Sequence, residues 1–180
     1  MKIVVFFRHE YQGIPFMNYN NTQDFLAEVL PFLESIAIPY TIQPIEFKTF
    51  LPGVGLEDGK LWIDTGALLY PGDILHEAGH YAVTESPSRQ GLNQQTIASN
   101  TQIDGEEMCA MLWSFAAAKH LSIPLEVVFH KDGYKGQSAW LLEQYGQGNY
   151  IGLPLLQWFG MLYKEGEGPE FPILKHWLRP

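Results

Sequence analysis

The sequence has little that would cross-link the chain, hold it in a membrane or bind it to nucleic acid. Its 180 residues include one cysteine, Cys109, so an intramolecular disulfide is excluded and a reducing compartment is compatible. Eleven Lys and Arg against 20 Asp and Glu give a net charge of −9, and no basic run is present to neutralise phosphates. The apolar stretch 150–163 is too short to span a bilayer and contains Pro154 and Gln157. The N-terminus has no signal-peptide pattern. We therefore expect a soluble, cytoplasmic protein without nucleic-acid or membrane partners.

The chain is rich in the residues that build a core. Hydrophobic residues make up 46% of the sequence and aromatic residues 14%, whereas charged residues make up only 17%. No internal repeat, low-complexity segment or linker-like boundary divides the chain. The length and composition therefore predict a single globular domain over residues 1–180.

Hydrophobic periodicity and turn residues predict a mixture of helices and strands, hence an α+β fold. Pro31 is expected to kink the first helix or to end it near Leu30. The two main strands are expected to form a hairpin, with the second of them at the sheet edge near residues 61–65. The segment 84–103 is long, polar and without clear periodicity, which is typical of a functional or disordered loop. The predicted elements are a strand at 3–7, a helix at 22–37, strands at 40–50 and 61–66 around a turn-rich 51–60, and helices at 104–121, 137–145 and 153–163.

The stretch "DILHEAGHYAV" (73–83) carries the pattern H-E-x-x-H in a helical context. Residues four apart lie on one helix face, so His76 and His80 can direct two imidazoles at a single ion. Glu77 lies at the edge of that face, where its carboxylate can reach a water rather than the metal. Two ligands and a general base from one rigid turn suit zinc hydrolysis. Asp73 is the expected N-cap of this helix.

Two histidines on an amphipathic helix can also be ordinary core or surface residues. Gly79 favours the metal interpretation, because glycine inside a helix costs about 1 kcal/mol relative to alanine and therefore suggests a close approach by another element. The back of the helix is small and apolar, as tight packing requires.

A catalytic zinc needs a third protein ligand, and the segment "DGEE" offers three candidates. Asp104, Glu106 and Glu107 all stand at the start of a helix that is apolar on every side beyond them. Acidic residues in a first turn also favour the helix dipole, by about 0.3–1 kcal/mol each. A buried carboxylate needs a partner or a metal, but the helical wheel does not choose among the three.

The segments "ILHEAGHYAV" and "EEMCAMLWSFAAAKHLSIP" together resemble gluzincin-type, zincin-like metallopeptidases, and most specifically the ImmA/IrrE-like group. In that group H-E-x-G-H is followed by a helix patterned E-x-x-A-x-x-F-A, and Glu107, Ala110 and Trp113 fit this pattern, with Ser114 in place of the last alanine. The resemblance covers residues 60–124. It implies a zincin-like domain with Glu107 as the third ligand and Asp104 or Glu106 in support.

Zincin sites commonly add a Tyr or His that stabilises the oxyanion. Two glycine-rich segments offer four weak candidates, which are more easily read as ordinary surface residues: His130, Tyr134, Tyr145 and Tyr150.

The sequence thus predicts zinc-dependent hydrolysis of a peptide or protein substrate. His76, His80 and Glu107 would bind Zn²⁺, Glu77 would be the general base, and the edge strand would hold an extended peptide. The alternative is a non-catalytic, metal-stabilised binding or regulatory protein on the same scaffold. Neither the substrate nor the oligomeric state follows from the sequence.

Overall fold

The computed structural model describes residues 22–99 and 103–180, without the side chains of residues 103 and 104. The chain contains both helices and a small sheet, which confirms the predicted α+β class. Two 3-10 helices are present, at Ser86–Gly91 and Tyr134–Gly136. The predicted strand at 3–7 lies outside the described residues. The remaining elements are α1 (Thr22–Ser35), β1 (Tyr40–Ile42), β2 (Val54–Glu57), β3 (Lys60–Ile63), α2 (Asp73–Val83), α3 (Gln94–Ser99), α4 (Ile103–His120), α5 (Leu125–Val128), α6 (Ser138–Gly146) and α7 (Leu153–Trp158).

The sheet has three strands in the order β1-β3-β2. Strands β2 and β3 form an antiparallel hairpin whose two turn residues, Asp58 and Gly59, both have positive φ angles, of 49° and 67°. An Asp-Gly pair is the residue choice that such a tight turn favours. The turn-rich segment 51–60 thus contains a strand that the sequence did not predict, at residues 54–57, and the first three residues of this strand are buried.

The predicted pairing of the strands was wrong. The expected strand 40–50 is ordered as a strand only at Tyr40–Ile42, and Pro44, which lacks an N–H group, follows two residues later. This strand pairs with β3 in parallel rather than in a hairpin. Because β3 has a partner on each side, it is the central strand and not the edge near 61–65, so a peptide cannot add to it.

Helices α2 and α4 form the centre of the core. Every residue of α2 is buried, and in α4 every residue from Cys109 to Ala118 is buried except the half-buried Met111. The two helices touch at Gly79, where an added Cβ would lie 2.6 Å from the carbonyl oxygen of Ala110. Glycine at this position therefore lets the backbones approach closely enough for the two helices to share one site.

Two helix predictions and one loop prediction need adjustment. Helix α1 does not end near Leu30 but continues through Pro31 to Ser35, and Phe32 and Leu33, beyond the proline, are buried. The last helix ends at Trp158 instead of residue 163, shortly before Gly160 with φ of 75°. The described part of segment 84–103 contains a 3-10 helix and α3 and is not an unstructured loop. Within the described residues no helix is both long and apolar enough to cross a membrane.

Candidate metal site

Three side chains from α2 and α4 converge on one point. The Nε2 atoms of His76 and His80 lie 3.3 Å apart. The Glu107 carboxylate reaches both rings, with 3.4 Å from Oε1 to His76 Nε2 and 3.2 Å from Oε2 to His80 Nε2. One ligand atom from each residue lies within 4.8 Å of the others, so the group could hold a metal ion. The structure thus brings together the three residues that the sequence predicted as ligands.

The local fold explains this convergence. The two histidines are one turn apart on α2, with their rings at 4.8 Å and nearly perpendicular. Glu107 lies three residues before Ala110, the point where α4 touches Gly79. One helical turn therefore separates the glycine contact from the third ligand on α4, and the close packing carries the carboxylate to the histidines.

The charges within the cluster suit cation binding. Burial lowers the pKa of His76 to about 4, so this ring is neutral at pH 7 and can act as a ligand. Burial alone would raise the pKa of Glu107, but the hydrogen bond with His80 and the two imidazoles hold it at about 2. Burial would likewise lower the pKa of His80, yet the hydrogen bond with Glu107 and the nearby Glu77 raise it above its usual value. Nε2 of His80 and Oε2 of Glu107 are hydrogen-bonded to each other at 3.2 Å, and a bound cation would replace this contact.

Glu77 is buried beside the cluster without belonging to it. Its side chain is 5% exposed, and it is absent from the group whose ligand atoms converge. Burial raises its pKa to about 7, with a further upward contribution from Glu107 and an opposing one from His80. A carboxyl group that titrates near neutrality can both accept and release a proton at physiological pH.

The other two acidic candidates differ from Glu107. Glu106 lies outside the converging group, although its charge contributes to the raised pKa of His80. Asp104 belongs to α4, but its side chain lies outside the described part of the structure.

Asp73 is not the N-cap that the sequence predicted. The helix begins at Asp73 itself, after Gly72, and neither makes a side-chain cap. Glycine is required at 72 because a Cβ there would lie 2.1 Å from the carbonyl oxygen of Val127. The buried Asp73 carboxylate instead accepts a hydrogen bond from His130, with 3.0 Å between Oδ1 and Nε2.

Among the four weak candidates, His130 and Tyr134 lie at the site. The His130 ring stacks on Tyr70 with centroids 3.7 Å apart, and the Tyr134 ring meets His76 edge-on at 5.5 Å. The Tyr134 hydroxyl is buried rather than open to solvent, and burial raises its pKa well above the usual value. The hydroxyl has no hydrogen-bond partner within the described residues, and an oxyanion-stabilising role for it stays a prediction.

Tyr145 and Tyr150 belong to an aromatic cluster around Phe115, with ring centroids at 5.0 and 5.7 Å from it. Both therefore contribute to packing away from the two histidines. Sequence reasoning missed the Asp73–His130 pair, because no local pattern relates two residues 57 positions apart.

No protein-family model, curated protein or solved structure matches this chain.

Proposed function

We propose that the protein is a zinc-dependent peptidase, zincin-like and akin to the ImmA/IrrE-like group. The observation that carries the proposal is the position of Glu77: a buried carboxylate, outside the ligand cluster, with its pKa raised to about 7. A purely structural metal site has no use for such a group. An isolated buried carboxylate costs free energy, which makes its presence next to three potential ligands informative.

The spacing of the three donors supports zinc as the metal. Two ligand atoms about 2.0–2.1 Å from a zinc ion at the tetrahedral angle lie roughly 3.3–3.4 Å apart. The two histidine nitrogens are 3.3 Å apart, and each imidazole has one Glu107 oxygen at a similar distance, Oε2 at 3.2 Å from His80 and Oε1 at 3.4 Å from His76. Two imidazole nitrogens and one carboxylate oxygen also form a ligand set that catalytic zinc uses, with the fourth position left open.

The exposure of the site supports a catalytic role over a closed structural one. The histidine side chains are 11% and 8% exposed, whereas the Glu107 side chain is 40% exposed. Solvent and substrate can therefore approach from the Glu107 side, while the histidines are fixed by the core. This arrangement disfavours the alternative of a non-catalytic, metal-stabilised binding protein.

The roles of the chain's own residues follow from these positions. A bound zinc would act as a Lewis acid and lower the pKa of a coordinated water to about 7. His76, His80 and Glu107 would hold it. Glu77 would accept the proton of the attacking water and deliver it to the leaving amide nitrogen.

A peptide-library assay tests this proposal. Zinc-loaded protein should cleave members of a diverse peptide mixture, and the new termini can be identified by mass spectrometry. Glu77→Gln is the matched variant, because it preserves shape and should retain zinc while losing the base. Loss of cleavage with one retained zinc supports the mechanism. Equal cleavage by both proteins refutes it, and zinc binding without any cleavage by the wild type favours the non-catalytic alternative.

A further inference from the structure

Four buried polar atoms beside the cluster have no hydrogen-bond partner within residues 22–99 and 103–180. They are Oδ2 of Asp73, Nδ1 of His76, Nδ1 of His130 and the hydroxyl of Tyr134. Such orphaned buried atoms are rare in folded proteins, because each costs about 1–3 kcal/mol when unsatisfied. Their grouping next to the proposed ligands therefore calls for a specific role.

The orientation of His76 determines which of its atoms needs a partner. Its Nε2 faces His80 and Glu107, so a His76 ring that binds metal through Nε2 carries its proton on Nδ1. Metal-binding histidines nearly always donate this second N–H to a carboxylate, a carbonyl or a water. In this protein the Nδ1–H is a buried donor that requires an acceptor.

Asp73 carries a buried carboxylate oxygen without a partner, one helical turn before His76 on α2. It stands three residues before His76, hence on the same face of α2, and helical side chains lean towards the N-terminus, over the preceding turn. Oδ1 of Asp73 is already used by His130, which leaves Oδ2 as the free buried acceptor. His130 is in turn held in a flat stack against Tyr70, with an interplanar angle of 9°.

We propose that Asp73 is a positioning residue for the metal site, which fixes the His76 ring through a buried water bridging His76 Nδ1–H and Asp73 Oδ2, while His130 fixes Asp73. The inference rests on the metal site of the proposed function. A buried water needs two to four polar partners, and these atoms supply at least two. The carboxylate is essential in this arrangement because both of its oxygens are used.

The experiment measures zinc affinity by competition with a chromophoric chelator, alongside thermal unfolding of the metal-free proteins. Asp73→Asn retains one acceptor oxygen for two donors, and Asp73→Leu retains none. Loss of a carboxylate that supports a metal ligand typically weakens metal binding by about 10–100-fold. We therefore expect a loss of zinc affinity near the lower end of this range in Asp73→Asn and near the upper end in Asp73→Leu. Glu126→Gln removes one carboxylate charge from the exposed surface of α5 and should leave zinc affinity unchanged.

A spectroscopic readout separates positioning from general stability. In the zinc-loaded wild type, proton NMR should show a slowly exchanging His76 Nδ1–H resonance, which Asp73→Asn shifts or removes even if the metal-free stability is unchanged. Wild-type zinc affinity in Asp73→Asn, or an equal loss in Glu126→Gln, overturns the inference. If the wild type itself binds no zinc, the proposed function fails first and this inference with it.

Discussion

Replacing Gly79 by alanine should damage the metal site although it improves helix propensity. Alanine in a helix interior is favoured over glycine by about 1 kcal/mol. At this position, however, the new Cβ would lie 2.6 Å from Ala110 O, against an ordinary contact distance of 3.4 Å or more. The obstacle is backbone and cannot rotate away, so α2 and α4 must separate by up to about 0.8 Å. Overpacking of this kind costs about 1–3 kcal/mol, which leaves a net destabilisation of up to about 2 kcal/mol.

The same separation moves Glu107 away from His76 and His80. Metal sites tolerate errors of only about 0.2 Å in ligand distance, so zinc affinity should fall by more than the folding stability does. Denaturant unfolding of the metal-free protein and zinc competition measure the two quantities separately. Gly105→Ala is the matched control, since its Cβ meets only the flexible end of Leu155 at 3.2 Å. A Gly79→Ala protein as stable as the control, with wild-type zinc affinity, would refute the reasoning.

Three further predictions concern pH, the C-terminal segment and the metal. Because the folded pKa of Glu77 is about 7 against 4.5 when unfolded, ionising it destabilises the metal-free fold as pH rises between these values. Glu77→Gln should therefore be more stable than the wild type above pH 7 and equal to it below pH 4.5; a pH-independent difference in urea midpoints contradicts this. Arg179 bonds to the carbonyl oxygen of Val83 at 3.3 Å and packs on the Phe159 ring at 3.7 Å, so Arg179→Gln should lower the unfolding free energy by about 1–3 kcal/mol. An unchanged urea midpoint of unfolding would show that this contact at the end of α2 contributes nothing to the stability of the fold. Free zinc at a thousand times its Kd should stabilise the fold by about 4 kcal/mol, reversed by chelation, whereas an unshifted melting temperature argues against a native-state site.

The sequence predicted the site better than it predicted the sheet. The spacing of His76 and His80 fixes their geometry within one helix, so a local rule suffices. The helix beyond Glu107 was equally visible, because it is a long and almost continuous run of apolar residues. The sequence did not show which acidic residue faces the histidines, because this depends on the contact between Gly79 and Ala110 across two helices.

The errors have a common physical origin in contacts between distant parts of the chain. The parallel pairing of Tyr40 with Leu61 joins segments that local turn signals cannot relate, and a strand of four residues within a glycine-rich segment has almost no periodicity. Asp73 was interpreted from helix-capping preferences, which are local, whereas its actual partner, His130, is 57 residues away. Tertiary packing decided each of these cases.

The most direct test of the central claim is the zinc stoichiometry and affinity of the wild type beside Glu107→Gln. We predict one zinc per wild-type chain and a large loss of zinc affinity in Glu107→Gln, because an amide replaces the anionic ligand beside His76 and His80. A wild type that binds no zinc, or a variant that binds it as tightly as the wild type, would contradict the account.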